Sequence, residues 1–286
     1  MDINRRIFFK TLGVTGVSLA TGTKLGADVP EDDQPEFRGL LFDSYRCVGC
    51  RLCETVCAEA HNLPVPEDKL VTGTLRRNSE TRRTVINKFA TSKGEVTAKK
   101  QCMHCNEPAC AAGCLTQAMY KTKEGPVIWR SEKCMGCRYC MVSCPFDVPK
   151  FEYHSANPKI QKCDMCYDRI KEGNIPVCAE NCGDALIFGT RRELIAEARK
   201  RIAENPNDYV NEIYGEYVAG GTGFLHIGPV PFQELGMNTK LQNSSYPALT
   251  KGFLYSVPAV FVILPSILLG LHEATKNNQN KKEEHE

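Results

Sequence analysis

One tryptophan stands among 286 residues, and aromatic side chains make up only 8% of the chain. A core of ordinary size is expected, supplemented by whatever ties its loops together. No sign of charge predominates: 36 Lys and Arg face 34 Asp and Glu, a formal net charge of +2. That balance gives no reason to expect nucleic acid as a partner. A phosphate loop is also missing. Gly220-Gly221-Thr222-Gly223 is glycine-rich, but no Gly-Lys-Ser/Thr follows and no strand and helix are expected to frame it. Nor can a nucleophile–base pair or an open metal site be picked out, so the chain does not read as an enzyme in its own right.

What the chain has is cysteine, 16 in all. The run Cys134-Met-Gly-Cys137-Arg-Tyr-Cys140-Met-Val-Ser-Cys144-Pro145 has the C-x2-C-x2-C-x3-C-P spacing of a bacterial-type [4Fe–4S] ligand set. Cys47, Cys50, Cys53 and Cys57 repeat that spacing without the proline. Cys102, Cys105, Cys110 and Cys114 give C-x2-C-x4-C-x3-C, and Cys163, Cys166, Cys178 and Cys182 give C-x2-C-x11-C-x3-C. These four tetrads use every cysteine, which points to four [4Fe–4S] clusters. Disulfides would need longer-range staples than C-x2-C pairs supply. Zinc prefers two C-x2-C pairs set farther apart, so a zinc-stabilised binding protein is the rival from another class.

In these ligand runs the fourth cysteine serves the partner cluster. The inner tetrads then give Cys102, Cys105, Cys110 with Cys144, and Cys134, Cys137, Cys140 with Cys114. The outer tetrads give Cys47, Cys50, Cys53 with Cys182, and Cys163, Cys166, Cys178 with Cys57. Two strand runs, 118–122 and 127–130, flank a Glu124-Gly125-Pro126 turn and predict a hairpin between the inner motifs. Leu40-Leu41-Phe42 before the first tetrad and Ala185-Leu-Ile-Phe188 after the last are expected to pair. The fold expected is α+β: two pseudo-symmetric ferredoxin-like units, one wrapped around the other, over residues 28–190.

Residues 58–101 interrupt the pattern and read as a surface insertion, with a strand near 84–89 and solvated basic pairs Arg76-Arg77 and Arg82-Arg83. Thr190-Arg-Arg-Glu193 has the form of a capping box opening a helix to about Glu204, within a helical and irregular extension over 191–250. His61 and His104 lie near cluster motifs, but every tetrad is complete without them, so both read as packing residues. Residues 253–271 carry no charge and nearly match a hydrocarbon core of ~30 Å as a helix. The tail, 272–286, follows. At the other end, Arg5-Arg6-Ile-Phe-Phe-Lys10 and a weakly apolar stretch read as a twin-arginine export signal over 1–27. Such a route suits a protein loaded with its cofactors before crossing. Together these place the clusters in the periplasm, anchored by one C-terminal helix with a cytoplasmic tail.

The chain resembles the four-cluster electron-transfer (beta) subunits of membrane oxidoreductases, such as those of formate dehydrogenase and dimethyl-sulfoxide-reductase-type enzymes. Within that group it most resembles the iron–sulfur subunit of hydrogenase-2-type uptake [NiFe] hydrogenase. Carrying the likeness are Leu41-Phe-Asp-Ser44, Cys47-Val-Gly-Cys50, Lys100-Gln-Cys-Met-His-Cys105, Gly136-Cys-Arg-Tyr-Cys-Met-Val142 and Ile187-Phe-Gly-Thr-Arg191. Where that family has Val-Cys-Pro at its second and fourth tetrads, this chain has Gly-Cys-Leu and Asn-Cys-Gly. The resemblance implies a non-catalytic relay between a periplasmic catalytic subunit and a quinone-reactive integral membrane subunit. That catalytic subunit would be a [NiFe] hydrogenase; a molybdopterin subunit, with molybdenum or tungsten, is the alternative.

Overall fold

The computed structural model describes residues 36–283. The export signal read at 1–27 and the last three residues of the tail lie outside them. Strand β1 (Arg38–Asp43) leads to helix α1 (Leu52–Ala60), then to a hairpin of β2 (Val85–Thr91) and β3 (Gly94–Lys100). Helix α2 (Ala109–Ala112) precedes a second hairpin, β4 (Met119–Lys121) and β5 (Val127–Trp129), and helix α3 (Tyr139–Val142). The short pair β6 (Lys150–Phe151) and β7 (Ile160–Gln161) comes before helices α4 (Tyr167–Lys171) and α5 (Val177–Glu180). Then follow β8 (Leu186–Thr190), α6 (Arg191–Glu204), β9 (Phe224–Ile227) and the long α7 (Tyr246–Glu283). The mixed helix and strand content is that of an α+β chain.

β1 is the middle strand of a three-stranded sheet and is covered on both faces. The period of two along a strand divides its side chains. Leu40 and Phe42 join the largest apolar cluster with Ile86, Val96, Phe224 and Phe232. Leu41 faces the other way, onto Leu194, Ala198 and Ile202 of α6. The expected pairing with the strand after the last tetrad is present, antiparallel, with Leu40 opposite Phe188 and Phe42 opposite Leu186. On its other edge β1 pairs in parallel with β9, Leu40 opposite Phe224. That third strand corrects the reading of 205–250 as irregular chain. Three apolar residues and a histidine directly after a glycine run are too few to show a period.

The capping box forms as expected: Glu193 N–H donates to Thr190 Oγ1 at 3.3 Å and Thr190 N–H to the Glu193 carboxylate at 3.0 Å. The hairpin between the inner motifs also forms, Met119 opposite Trp129.

The segment 58–101 is not a surface insertion. Ile86, Val96 and Ala98 enter the main core. Arg76 is buried and grips Glu54 of α1 through two hydrogen bonds of 2.6 and 2.7 Å, with a third of 2.7 Å to Asp68. Arg83 reaches Asp164 at 2.7 Å, close to the fourth tetrad. Of the four arginines read as solvated, only Arg77 is well exposed. A basic pair looks the same in sequence whether it meets water or a buried carboxylate, and here carboxylates far along the chain decide.

α7 starts seven residues before the uncharged run, and its stretch Tyr246–Glu273 is long and apolar enough to cross a membrane. Its large apolar side chains from Phe253 to Leu271 are exposed. Pro258 and Pro265 lie inside it, as membrane helices tolerate.

Candidate metal centres

Two of the cysteine loops share one backbone. In Cys47-Val-Gly49-Cys50-Arg51 the glycine has φ +74° and the arginine φ 64°; in Cys134-Met-Gly136-Cys137-Arg138 the values are +73° and 60°. These left-handed turns curl each loop back on itself, and glycine enters that region without penalty. A helix then starts at Leu52 and at Tyr139, placing Cys53 and Cys140 on its first turn. Each third and fourth cysteine is four apart; in α1 both Cys53 and Cys57 lie within the helix, one turn apart on one face, while Cys114, Cys144 and Cys182 follow just after the ends of α2, α3 and α5. α1 packs against α5 and α2 against α3, bringing the first tetrad to the fourth and the second to the third.

Thiols of different tetrads lie beside one another. Burial pushes Cys182 up to about 11, helped by Cys47, Cys50 and Cys178 beside it; Cys53, pushed to about 12 mainly by burial, also feels Cys182. Burial raises Cys57 to about 12, with Cys178 and then Cys166 next to it, and Cys163 lies near Cys57 and Cys178. Burial likewise raises Cys105, with Cys102, Cys144 and Cys110 around it. Cys140 is pushed up to about 11 by burial, then by Cys114, Cys134 and Cys137. Those last four together line one small cavity under Trp129 and Ile160. Cys114 alone goes down: burial opposes this, but the Met119 N–H, 3.4 Å from its sulfur, and Thr116 Oγ1 at 3.7 Å prevail.

The sets touch in series. Cys53 and Cys178 share the main core. Cys102 and Cys163 pack together beside Cys144. Cys110 and Cys140 pack together beside Cys114 and Cys134.

Two lysines are buried among these thiols and a third is half-buried there. Lys99 is 2% exposed and its ammonium donates to Thr84 Oγ1. Lys162, 3% exposed, donates to the carbonyls of Val127 and, at 2.6 Å, Cys163. Lys121 donates to the His104 carbonyl at 3.1 Å, and burial brings it down to about 8. No periodicity marks them; each stands in a polar run on a short strand or beside one. His104 is buried and its Nδ1 accepts the Val127 N–H at 2.9 Å. His61 Nε2 lies 3.6 Å from Asp164 and 3.8 Å from Cys166 Sγ.

Residues 95–191 match the 4Fe-4S dicluster domain family. The chain is 31% identical to the hydrogenase-2 operon protein HybA of Escherichia coli O157:H7, over 99% of its own length and 98% of that protein. The chain belongs to the HybA-like 4Fe-4S electron-transfer subunits. It is also 40% identical, over 97% of its length, to a Nitratidesulfovibrio vulgaris protein, of which it covers 78%. A component of the anaerobic dimethyl sulfoxide reductase of Haemophilus influenzae Rd is 36% identical over 50% of this sequence and 69% of its own. The function of the family is an electron relay in oxidoreductase complexes, carried by iron–sulfur clusters.

The residues present fit such clusters. All donors are soft sulfur, which iron in Fe–S clusters selects. Thiols such as Cys53, Cys57 and Cys105, raised first by burial and then by neighbouring thiols, give up their protons when a cation binds. Each cluster, when bound, takes up and gives back one electron at a time. The protein does the rest: it fixes sulfur positions, excludes water and sets the local charge.

Proposed function

We propose that each of the four thiol sets holds one [4Fe–4S] cluster, the fourth cysteine of each tetrad crossing to its partner as the spacing leads one to expect. What supports this is that thiols of different tetrads lie side by side, Cys182 by Cys47 and Cys50, Cys105 by Cys144, and Cys114 with Cys134, Cys137 and Cys140 in one cavity. The shared loop geometry of the first and third tetrads supports two ferredoxin-like units related by pseudo-symmetry.

The packing of the sets supports one order of passage. It runs from Cys47/50/53/182 to Cys163/166/178/57, on to Cys102/105/110/144, and ends at Cys134/137/140/114. The last two sets rest on α2 and α3, which form a groove of about 1160 Å³ with the start of α7. In this reading the membrane end of the relay is one of these last two sets, facing a quinone-reactive membrane subunit, and the catalytic subunit meets the Cys47 set. HybA supports a [NiFe] hydrogenase as that catalytic partner, working in the periplasm after twin-arginine export, with α7 as the anchor. A second reading, a molybdenum enzyme of the dimethyl sulfoxide reductase kind, is favoured by the likeness to the Haemophilus reductase component.

Elemental analysis of the detergent-solubilised complex purified through this chain decides between them. About 16 iron atoms per chain from these sets, plus nickel, is the expected result. Molybdenum or tungsten without nickel would transfer the relay to the second reading. Zinc in place of iron would end both. Deleting residues 251–286 should move the protein from the membrane to the soluble fraction; retention at the membrane would remove the anchor role of α7.

A further inference from the structure

Lys99 and Lys162 are the most deeply buried ammonium groups among the described residues, and no carboxylate there makes an ion pair with either. Burying an unpaired ammonium is strongly unfavourable unless some other negative charge answers it. The charges that answer are sulfur. Lys99 shares a face of β3 with Thr97, whose Oγ1 donates to the Cys47 carbonyl at 3.0 Å, and the thiols that act on it most are Cys53, then Cys178, Cys57 and Cys163, so it lies between the first set and the fourth-tetrad set. Lys162 donates to the carbonyl of Cys163 at 2.6 Å, and Cys163 packs against Cys102; Cys102, then Cys110 and Cys163, act on it more than Asp164 does, so it lies between the fourth-tetrad set and the Cys102 set. The Cys134 set has neither lysine among the charges acting on it. Thr84 Oγ1 fixes the Lys99 ammonium, and two carbonyls fix that of Lys162, so neither can swing to solvent.

We propose that Lys99 and Lys162 are fixed charges that set the reduction potentials of three of the four clusters, each lysine serving the two sets it separates. The inference rests on the four-cluster reading above. A cluster bound by four thiolates is anionic, and more so when reduced. A buried cation beside it favours the reduced form and raises its potential, with little screening by salt. Lys99 therefore raises the potentials of the Cys47 set and the Cys163 set. Lys162 raises those of the Cys163 set and the Cys102 set. The Cys134 set stands outside both.

Potentiometric titration followed by electron paramagnetic resonance, on the full cluster-loaded chain in detergent, tests this. Lys99→Met should lower two of four waves, and Lys162→Met two of four. One wave should fall in both variants, and one in neither. Waves that stay in place at full iron content would overturn the role of the lysines while leaving the relay intact; so would all four waves moving together. Iron missing from the wild type would instead overturn the four-cluster reading itself. Should Lys99→Met fail to load, Lys99→Arg, which keeps the charge, must load with its waves in place. Equal iron loss in both variants would overturn the proposal.

Discussion

The first and third cysteine loops have the same spacing and the same left-handed turns, yet they live in different surroundings. Over the first loop lie Leu70 and Thr97, whose Oγ1 donates to the Cys47 carbonyl at 3.0 Å. Its Arg51 is held by Glu54 at 3.1 Å and Asp68 at 3.3 Å, inside a network that Arg76 completes. The third loop is bare. Met135, Tyr139 and Val142 are exposed, and Arg138 rests over the rings of Phe151 and Tyr153 at 5.5 and 5.6 Å. A ligand motif thus specifies its own backbone; whether it is buried or offered to a partner is decided by segments elsewhere. The first loop is pinned at Cys47 and Arg51 by residues of 58–101, although Val48 and Cys50 stay as exposed as Met135 and Cys137; the third has only ring contacts and lies next to the long apolar helix.

Removing one thiol from each kind of site should widen the contrast most. Cys178→Ser, in the main core, is expected to remove the cluster shared with Cys57, about four iron atoms per chain, and to disturb the adjoining Cys47 set. Cys137→Ser, on the open loop, should remove a similar amount of iron and leave the other signals unchanged. Iron counts and paramagnetic resonance spectra check both.

Next comes the network. Arg76→Ala leaves the buried Glu54 carboxylate with only Arg51 and the Ile86 N–H and should cost about 3 kcal/mol, seen as a large fall in the thermal midpoint. Arg138→Ala loses only ring contacts and should cost about 0.5–1 kcal/mol. Comparable losses would erase the distinction between the loops. Acid sharpens it further. Burial would raise the Glu54 carboxyl, but Arg76, Arg51 and the Ile86 N–H together hold it below its ordinary value. A folded pKa lower than the unfolded one means that this contribution is complete above the ordinary glutamate range. It is lost as pH falls through the folded value. In Arg76→Ala, acid unfolding followed by circular dichroism should begin at higher pH.

Smaller still is the glycine pair. Alanine at Gly49 or Gly136 should cost about 1–2 kcal/mol for the left-handed backbone. Gly49 should cost more, because a new Cβ meets Thr97 Cγ2 at 3.1 Å, whereas at Gly136 it meets nothing within 4 Å. Thr190→Ala, remote from both loops, should cost only about 1 kcal/mol through its lost cap. Thermal midpoints of the three variants give the ranking.

The features legible in sequence are those written in local patterns. The tetrads, the hairpin at Glu124-Gly125-Pro126, the cap at Thr190 and the apolar helix all depend on neighbours a few residues away. The pairing of β1 with β8 is legible because strands flank the outer tetrads symmetrically. What sequence hides depends on distant residues. β9 is four residues long and becomes a strand only because β1 has a free edge. Lys99 and Arg76 look like surface residues until the thiols and Glu54 that face them are in place.

The central sheet also constrains the order in which the protein can be made. β1 occupies its middle, but β9, the parallel partner, is synthesised almost last. Cys47 must likewise wait for Cys182. On the ribosome the first tetrad emerges early and finds no partner, so a half-made chain presents open thiols and a strand with two bare edges. Iron delivered then would meet incomplete sites. Metallation of the outer sets is a task for the finished chain, and a factor that shields residues 38–57 during translation would spare them from premature chemistry.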